Sequence, residues 1–109
     1  MGLTSDKINL FDREGFLIAQ SSWTPELAEE IANKDGIKLT DQHWEIILLV
    51  RRYHEEFDSP PAMRALVKYV RFHLGEPVGN SIYLLKLFPN SPAKTVCKIS
   101  GLSKPPFCL

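Results

Sequence analysis

The spacing of hydrophobic residues changes once along the chain, from a two-residue to a helical period. Near the start, Ile8, Leu10, Phe16 and Ile18 stand at two-residue spacing on either side of Asp12-Arg13-Glu14-Gly15. A two-residue period flanking a turn closed by glycine predicts a short β-hairpin over residues 7–20. From Thr24 onward the period is helical. Thr24-Pro25-Glu26 supplies an N-cap, a first-turn proline and an early acid, opening a helix to about Lys34 that Gly36 ends. Thr40 caps a second, longer helix, with Leu39 and Trp44 at hydrophobic-staple spacing. It carries two apolar stripes, Trp44, Ile47 and Leu48 on one and Ile46, Val50, Tyr53 and Phe57 on the other. A helix apolar on two faces is expected to be buried on both, which makes this one the expected centre of the fold.

Ser59-Pro60-Pro61 breaks the chain before Met63, Leu66, Val67, Val70 and Leu74, which repeat at helical spacing. A turn from Gly75 to Gly79 leads to a short helix begun by Asn80 or Ser81 and running through Leu87, before Pro89. Ser91-Pro92-Ala93 opens a fifth helix through about Ile99, ended by Gly101. The expected fold is mostly α: a compact orthogonal bundle of about five helices, with a short N-terminal β-hairpin and a mobile C-terminal arm. A single domain is expected over residues 1–109, with the arm at 101–109.

Composition narrows the function. The chain has 109 residues, 44% of them hydrophobic and 24% charged, within the range of one small globular core. Thirteen basic residues balance thirteen acidic ones, so no bulk charge calls for duplex DNA or an anionic membrane. No apolar run approaches the roughly 20 residues that span a bilayer. The first residues lack the pattern of a secretory signal, and a cytoplasmic location is expected, where thiols stay reduced.

The candidate chemistry is thiol chemistry. Both cysteines lie in the last thirteen residues, Cys97 at the end of the fifth helix and Cys108 in the penultimate position. Chain ends are the mobile part of most domains, so a thiol there is suited to travel rather than to hold structure. Nine residues follow Ser100, and fully extended they reach about 30 Å. Pro105-Pro106 stiffens the arm and reduces the entropy lost when it enters a cleft. The arm could also fold back to bring Cys108 to Cys97, a candidate resolving thiol that core packing explains equally well. Lys94, Lys98 and Lys104 lie near the two thiols in sequence and favour the thiolate, while the C-terminal carboxylate beside Cys108 opposes it and leaves the net shift unsigned; Lys98 and Lys104 are the candidate supporting residues. No zinc spacing is present, and neither metal nor cofactor is expected.

Other constellations carry less. His43, at the third position of the long helix, is placed to turn back to its cap, and Trp44 reads as core. His54-Glu55-Glu56 has Asp58 where a zinc helix needs a second histidine. Arg51, Arg52, Arg64, Lys68 and Arg71 could form a basic face for an acidic partner or tRNA, and a solvated face explains them as well. The two helices around the Gly75–Gly79 turn invite a helix-turn-helix DNA-binding reading, but Ser81 to Leu87 is too apolar to read base edges.

Leu87-Phe88-Pro89-Asn90-Ser91-Pro92-Ala93-Lys94, then Cys97, then Gly101-Leu102-Ser103-Lys104-Pro105 and Cys108 resemble the DsrC/TusE (DsvC) family of sulfur-relay proteins, the sulfite reductase gamma-subunit-like proteins. Asp12 to Leu17, Leu39 to Trp44, Ser59 to Arg64 and Gly79-Asn80-Ser81 with Tyr83-Leu84 match the same pattern in order, so the resemblance covers nearly the whole chain. It implies a helical fold whose penultimate cysteine, Cys108, carries sulfur as a persulfide, as a co-substrate more than an independent enzyme. In the TusE branch the implied donor is a TusBCD-like complex and the acceptor is the tRNA thiouridylase that makes wobble 2-thiouridine. In the DsrC branch the donor is DsrEFH-like, the acceptor is dissimilatory sulfite reductase, and a cysteine matching Cys97 joins the tip in a disulfide or trisulfide. Direct nucleic-acid binding is not expected. Two positions depart from the family pattern: Ser103 stands for a proline, and Phe107 for the glycine that precedes the terminal cysteine in the DsrC branch. Cys97 points to the DsrC branch; Phe107 and the short chain point to the TusE branch.

Overall fold

The computed structural model describes residues 10–106. It contains a 3-10 turn, Gln20–Ser22, followed by five α-helices: α1 (Pro25–Lys34), α2 (Asp41–Phe57), α3 (Met63–Leu74), α4 (Ser81–Leu87) and α5 (Pro92–Ile99). Every helix expected from the sequence forms. Thr24 Oγ1 accepts the Leu27 amide at 3.1 Å and caps α1. Asn80, not Ser81, caps α4: its Oδ1 accepts from the Tyr83 amide at 2.8 Å. Its Nδ2 donates to the Glu76 and Pro77 carbonyls, which fixes the preceding turn to the helix it starts. That turn also sits tight on α3, because Gly79 has no Cβ and its backbone lies against the backbone of Arg71.

Over residues 10–20 the expected N-terminal hairpin is not found, and residues 7–9 lie outside the described residues. Among the described residues there is no strand, and Phe11 and Leu17 share only an isolated antiparallel bridge. The turn itself is well made, with Asp12 Oδ1 accepting from the amides of Glu14 and Phe16 at 2.9 Å each. The reason lies in burial. Phe16 and Leu17 are adjacent and both enter the core, whereas Ile18 is 66% exposed. A strand sends neighbouring side chains to opposite faces, so this pattern cannot extend as a half-buried strand. The chain instead turns into the 3-10 segment.

The centre of the fold is also not the longest helix. α5, only eight residues long, packs against α1, α2, α3 and α4. It buries Pro92, Ala93, Val96, Cys97 and Ile99, small and medium side chains that let four neighbours approach closely. On α2, Ile46, Ile47 and Val50 are fully buried, but Leu48 and Phe57 from the two expected stripes are more than half exposed. Each full burial of an aliphatic side chain contributes roughly 1.5–3 kcal/mol, so the packing around α5 is the main support of the region that leads into the C-terminal segment.

Candidate functional site

The C-terminus of α5 ends in a Schellman motif. Gly101 adopts φ +79°, the Leu102 amide donates to the Cys97 carbonyl at 3.0 Å, and the Gly101 amide donates to Lys98 at 3.2 Å. The two carbonyls left over are held by side chains from far away in sequence. Trp23 Nε1 donates to the Ile99 carbonyl at 2.8 Å, and an Arg51 Nη donates to the Ser100 carbonyl at 2.6 Å. The Arg51 guanidinium lies 3.9 Å over the Trp23 ring, and Trp23 meets Trp44 edge-on with ring centres 6.4 Å apart. Burial lowers the pKa of Arg51, with the charge of Glu55 opposing the shift. Gly101 itself touches the Trp23 indole so closely that a Cβ would overlap it.

Beyond this clamp the segment expected to be a free arm stays on the body as far as it is described. Leu102 is 2% exposed. Lys104 Nζ lies 3.3 Å from Glu14 Oε1, the same oxygen that Lys94 Nζ approaches at 3.8 Å. Pro105 is buried, and with Pro106 it lines a cleft of about 220 Å³ together with Met63, Leu85 and Ala93. The described part of the segment, from Gly101 to Pro106, therefore lies against the body instead of standing free of it. Cys108 lies outside the described residues.

Cys97 is fully buried, with Sγ 3.9 Å from the Pro61 carbonyl. Its place is in the core around α5 rather than on a surface. Lys98 points the other way, its Nζ 3.6 Å from Asp35 Oδ2 and 5.8 Å from the centre of the Phe16 ring. The lysines near the thiols in sequence are thus brought to Glu14 and Asp35, and they fasten α5 and the segment after it to the N-terminal turn and α1. His43 does what its position suggested. Nδ1 accepts from the Thr40 amide at 3.1 Å and from the Thr40 hydroxyl at 2.8 Å, while Nε2 donates to the Leu87 carbonyl at 2.8 Å. It joins the start of α2 to the end of α4. Among the described residues no three His, Cys, Asp or Glu side chains gather as metal ligands, and no helix is long and apolar enough to cross a membrane.

Trp23, Arg51 and Glu14 were not singled out by sequence reasoning as parts of this site. Trp23 and Arg51 stand 76 and 49 residues before the carbonyls they hold, and no local pattern connects them. Glu14 lies in a turn whose composition accounted for it already.

The DsrC like protein family matches residues 4–109. The chain belongs to this family. It is 46% identical over 98 residues to the sulfurtransferase TusE of Pectobacterium atrosepticum, covering 90% of each chain. It is 47% identical to the sulfurtransferase TusE of Escherichia coli K12, again over 90% of each. Among solved structures it is similar to the NMR structure of Allochromatium vinosum DsrC, with a TM-score of 0.82 at 44% identity, covering 91% of this chain and 88% of that one. It is also similar to the oxidized gamma-subunit of the dissimilatory sulfite reductase (DsrC) from Archaeoglobus fulgidus, with a TM-score of 0.77 at 38% identity, covering 91% and 90%. These family relatives share the helical fold described above.

Proposed function

We propose that the protein is a sulfur carrier that receives sulfur on Cys108 and relays it to an acceptor, in the synthesis of wobble 2-thiouridine in tRNA. The observation that carries this reading is the family match through residue 109, which includes Cys108, together with 46–47% identity to proteins named sulfurtransferase TusE. The body supports it by anchoring the preceding segment at the Trp23–Arg51 clamp and at Glu14, so that the thiol follows a fixed point of departure. In the chemical step, the Cys108 thiolate attacks the terminal sulfur of a donor persulfide. The donor S–S bond breaks, the donor thiolate leaves, and Cys108–S–SH forms with no net oxidation. An acceptor thiolate then takes the same sulfur from Cys108 in the same way. The donor is a TusBCD-like complex and the acceptor a tRNA thiouridylase, both in the cytoplasm. The assignment is tested in a bacterium lacking its own TusE. The wild-type chain should restore 2-thiouridine to tRNA, and Cys108→Ala should not; restoration by Cys108→Ala would refute the reading.

One observation favours a second reading. Cys97 is present, and the chain is 44% identical to a DsrC, so a DsrC-type cycle would let the Cys97 thiolate attack Cys108 Sγ, release hydrosulfide and leave a Cys97–Cys108 disulfide. The complete burial of Cys97, with Sγ beside the Pro61 carbonyl, requires the packing around α5 to open first. The helix-turn-helix reading has less support still. α4 offers Ile82 and Leu85 to solvent, aliphatic side chains where a base-reading helix needs polar ones.

A further inference from the structure

A shallow groove of about 620 Å³ runs between α3 and the start of α4, lined by Met63, Arg64, Val67, Lys68, Arg71 and Ser81. Arg64, Lys68 and Arg71 follow one another at i, i+4 and i+7 along the outer face of α3, whose inner face buries Leu66 and Val70. No carboxylate lines the groove, although acids and bases balance over the whole chain. Its rim is apolar. Ile82 is 70% exposed and Leu85 43% exposed on the same side of α4 as Ser81. Arg51, expected from the sequence to belong to this basic face, is turned instead to Ser100.

Met63 lines both this groove and the cleft that holds Pro105 and Pro106, and Leu85 lines the cleft too. The basic groove and the seat of the arm are therefore one continuous surface. Cys108 follows Pro106 by two residues, no more than about 7 Å of chain.

We infer that this groove is the docking surface for a protein of the sulfur relay, one that presents an acidic segment with apolar flanks. This rests on the carrier reading of Cys108 and adds to it where the partner binds. Three cations attract and orient an acidic segment, and the exposed aliphatics of α4 are covered by its apolar side chains. A nucleic acid fits less well: the groove has no aromatic side chain on which a base could stack, and Ile82 and Leu85 would stay in water beside the phosphates. A partner seated here has the departing arm directly beside it.

The test compares wild type with Arg64→Glu/Lys68→Glu and with Ile82→Asp, all exposed positions. Arg71 is left in place because its Nε also holds the Gly79 carbonyl at 3.1 Å. Persulfide formation is followed by intact mass with inorganic polysulfide and with a TusBCD-type donor complex, and discharge is followed with an MnmA-type thiouridylase. The expected result is unchanged loading from polysulfide, with donor loading or discharge slowed about tenfold or more in both variants and the salt sensitivity of that step lost in Arg64→Glu/Lys68→Glu. Wild-type rates for both protein steps in both variants would overturn the proposal. Wild-type binding to purified tRNA, lost in the double variant while both protein steps are unchanged, would overturn it in favour of a nucleic-acid surface. A wild-type chain that takes sulfur from neither polysulfide nor donor would instead refute the carrier reading on which the proposal stands.

Discussion

The indole of Trp23 caps the Ile99 carbonyl at 2.8 Å, across 76 residues of sequence. One end of the helix that carries Cys97 is thereby tied to the residue just before the N-cap of α1. The same ring supports Arg51 on its face and meets Gly101 in close contact, so it sets the direction in which the C-terminal segment departs.

Gly101→Ala should therefore be costly. The residue sits at φ +79° and its missing Cβ leaves room for Trp23. The backbone strain and the overlap together should lower stability by about 2–4 kcal/mol, measured by urea unfolding. Trp23→Phe, which keeps an aromatic ring but removes the donor, should cost about 1–2 kcal/mol. A Gly101→Ala protein as stable as wild type would show that the clamp does not hold the segment as described.

His43 links Thr40 to Leu87 through both ring nitrogens. His43→Ala leaves the Thr40 amide and the Leu87 carbonyl without their partner and should cost about 1–3 kcal/mol. Its sulfur loading at a temperature where it remains folded should equal that of wild type. A loss of loading without a loss of stability would give His43 a chemical part that its geometry does not suggest.

Tyr69 ionises late. Its pKa is pushed up to about 12, first by burial, then by its hydrogen bond of 2.6 Å to Glu56 and the charge of that carboxylate, with Arg52 opposing. Since the folded value lies above the ordinary value of about 10, folding favours the neutral phenol. The stabilisation is complete below pH ~10 and is lost as pH rises toward about 12. In a near-ultraviolet titration, the phase that Tyr69→Phe removes should lie near pH 12, and Glu56→Gln should bring it earlier. A Tyr69 phase left unmoved by Glu56→Gln would contradict this.

How much of this was legible in sequence depended on the range of the interaction. Caps, prolines and glycines gave the five helices, because Thr24, Asn80 and Gly101 act on backbone groups within a few residues. The hairpin failed because the alternation of Leu10, Phe16 and Ile18 ignored Leu17, which is buried beside Phe16. The two apolar stripes of α2 predict a helix buried on both faces, yet Leu48 and Phe57 at their edges are exposed; burial of a stripe depends on what packs against it, and α5 has the neighbours. Arg51 was grouped with Arg64 and Lys68 as a basic face, since nothing local to Arg51 reveals that Trp23 and Ser100 await it. For Cys97 the sequence leaves a resolving thiol and a core residue equally open, and the packing around α5 places it in the core.

The burial of Cys97 makes a prediction of its own. In Cys108→Ala, Cys97 is the remaining thiol of the chain. A thiol-specific reagent should label it slowly in the native state and rapidly in urea, because the packing that buries it must open first. Rapid labelling of the native protein would show that Cys97 is accessible and would favour the two-thiol cycle.

The central claim is that Cys108 carries the sulfur. It is tested most directly by intact mass after incubation with a cysteine desulfurase, cysteine and a TusBCD-type donor, for wild type, Cys97→Ala and Cys108→Ala. Wild type and Cys97→Ala should each gain one sulfur and keep it until an acceptor is added, and Cys108→Ala should gain none. A sulfur adduct retained in Cys108→Ala, or absent from all three, would contradict the account.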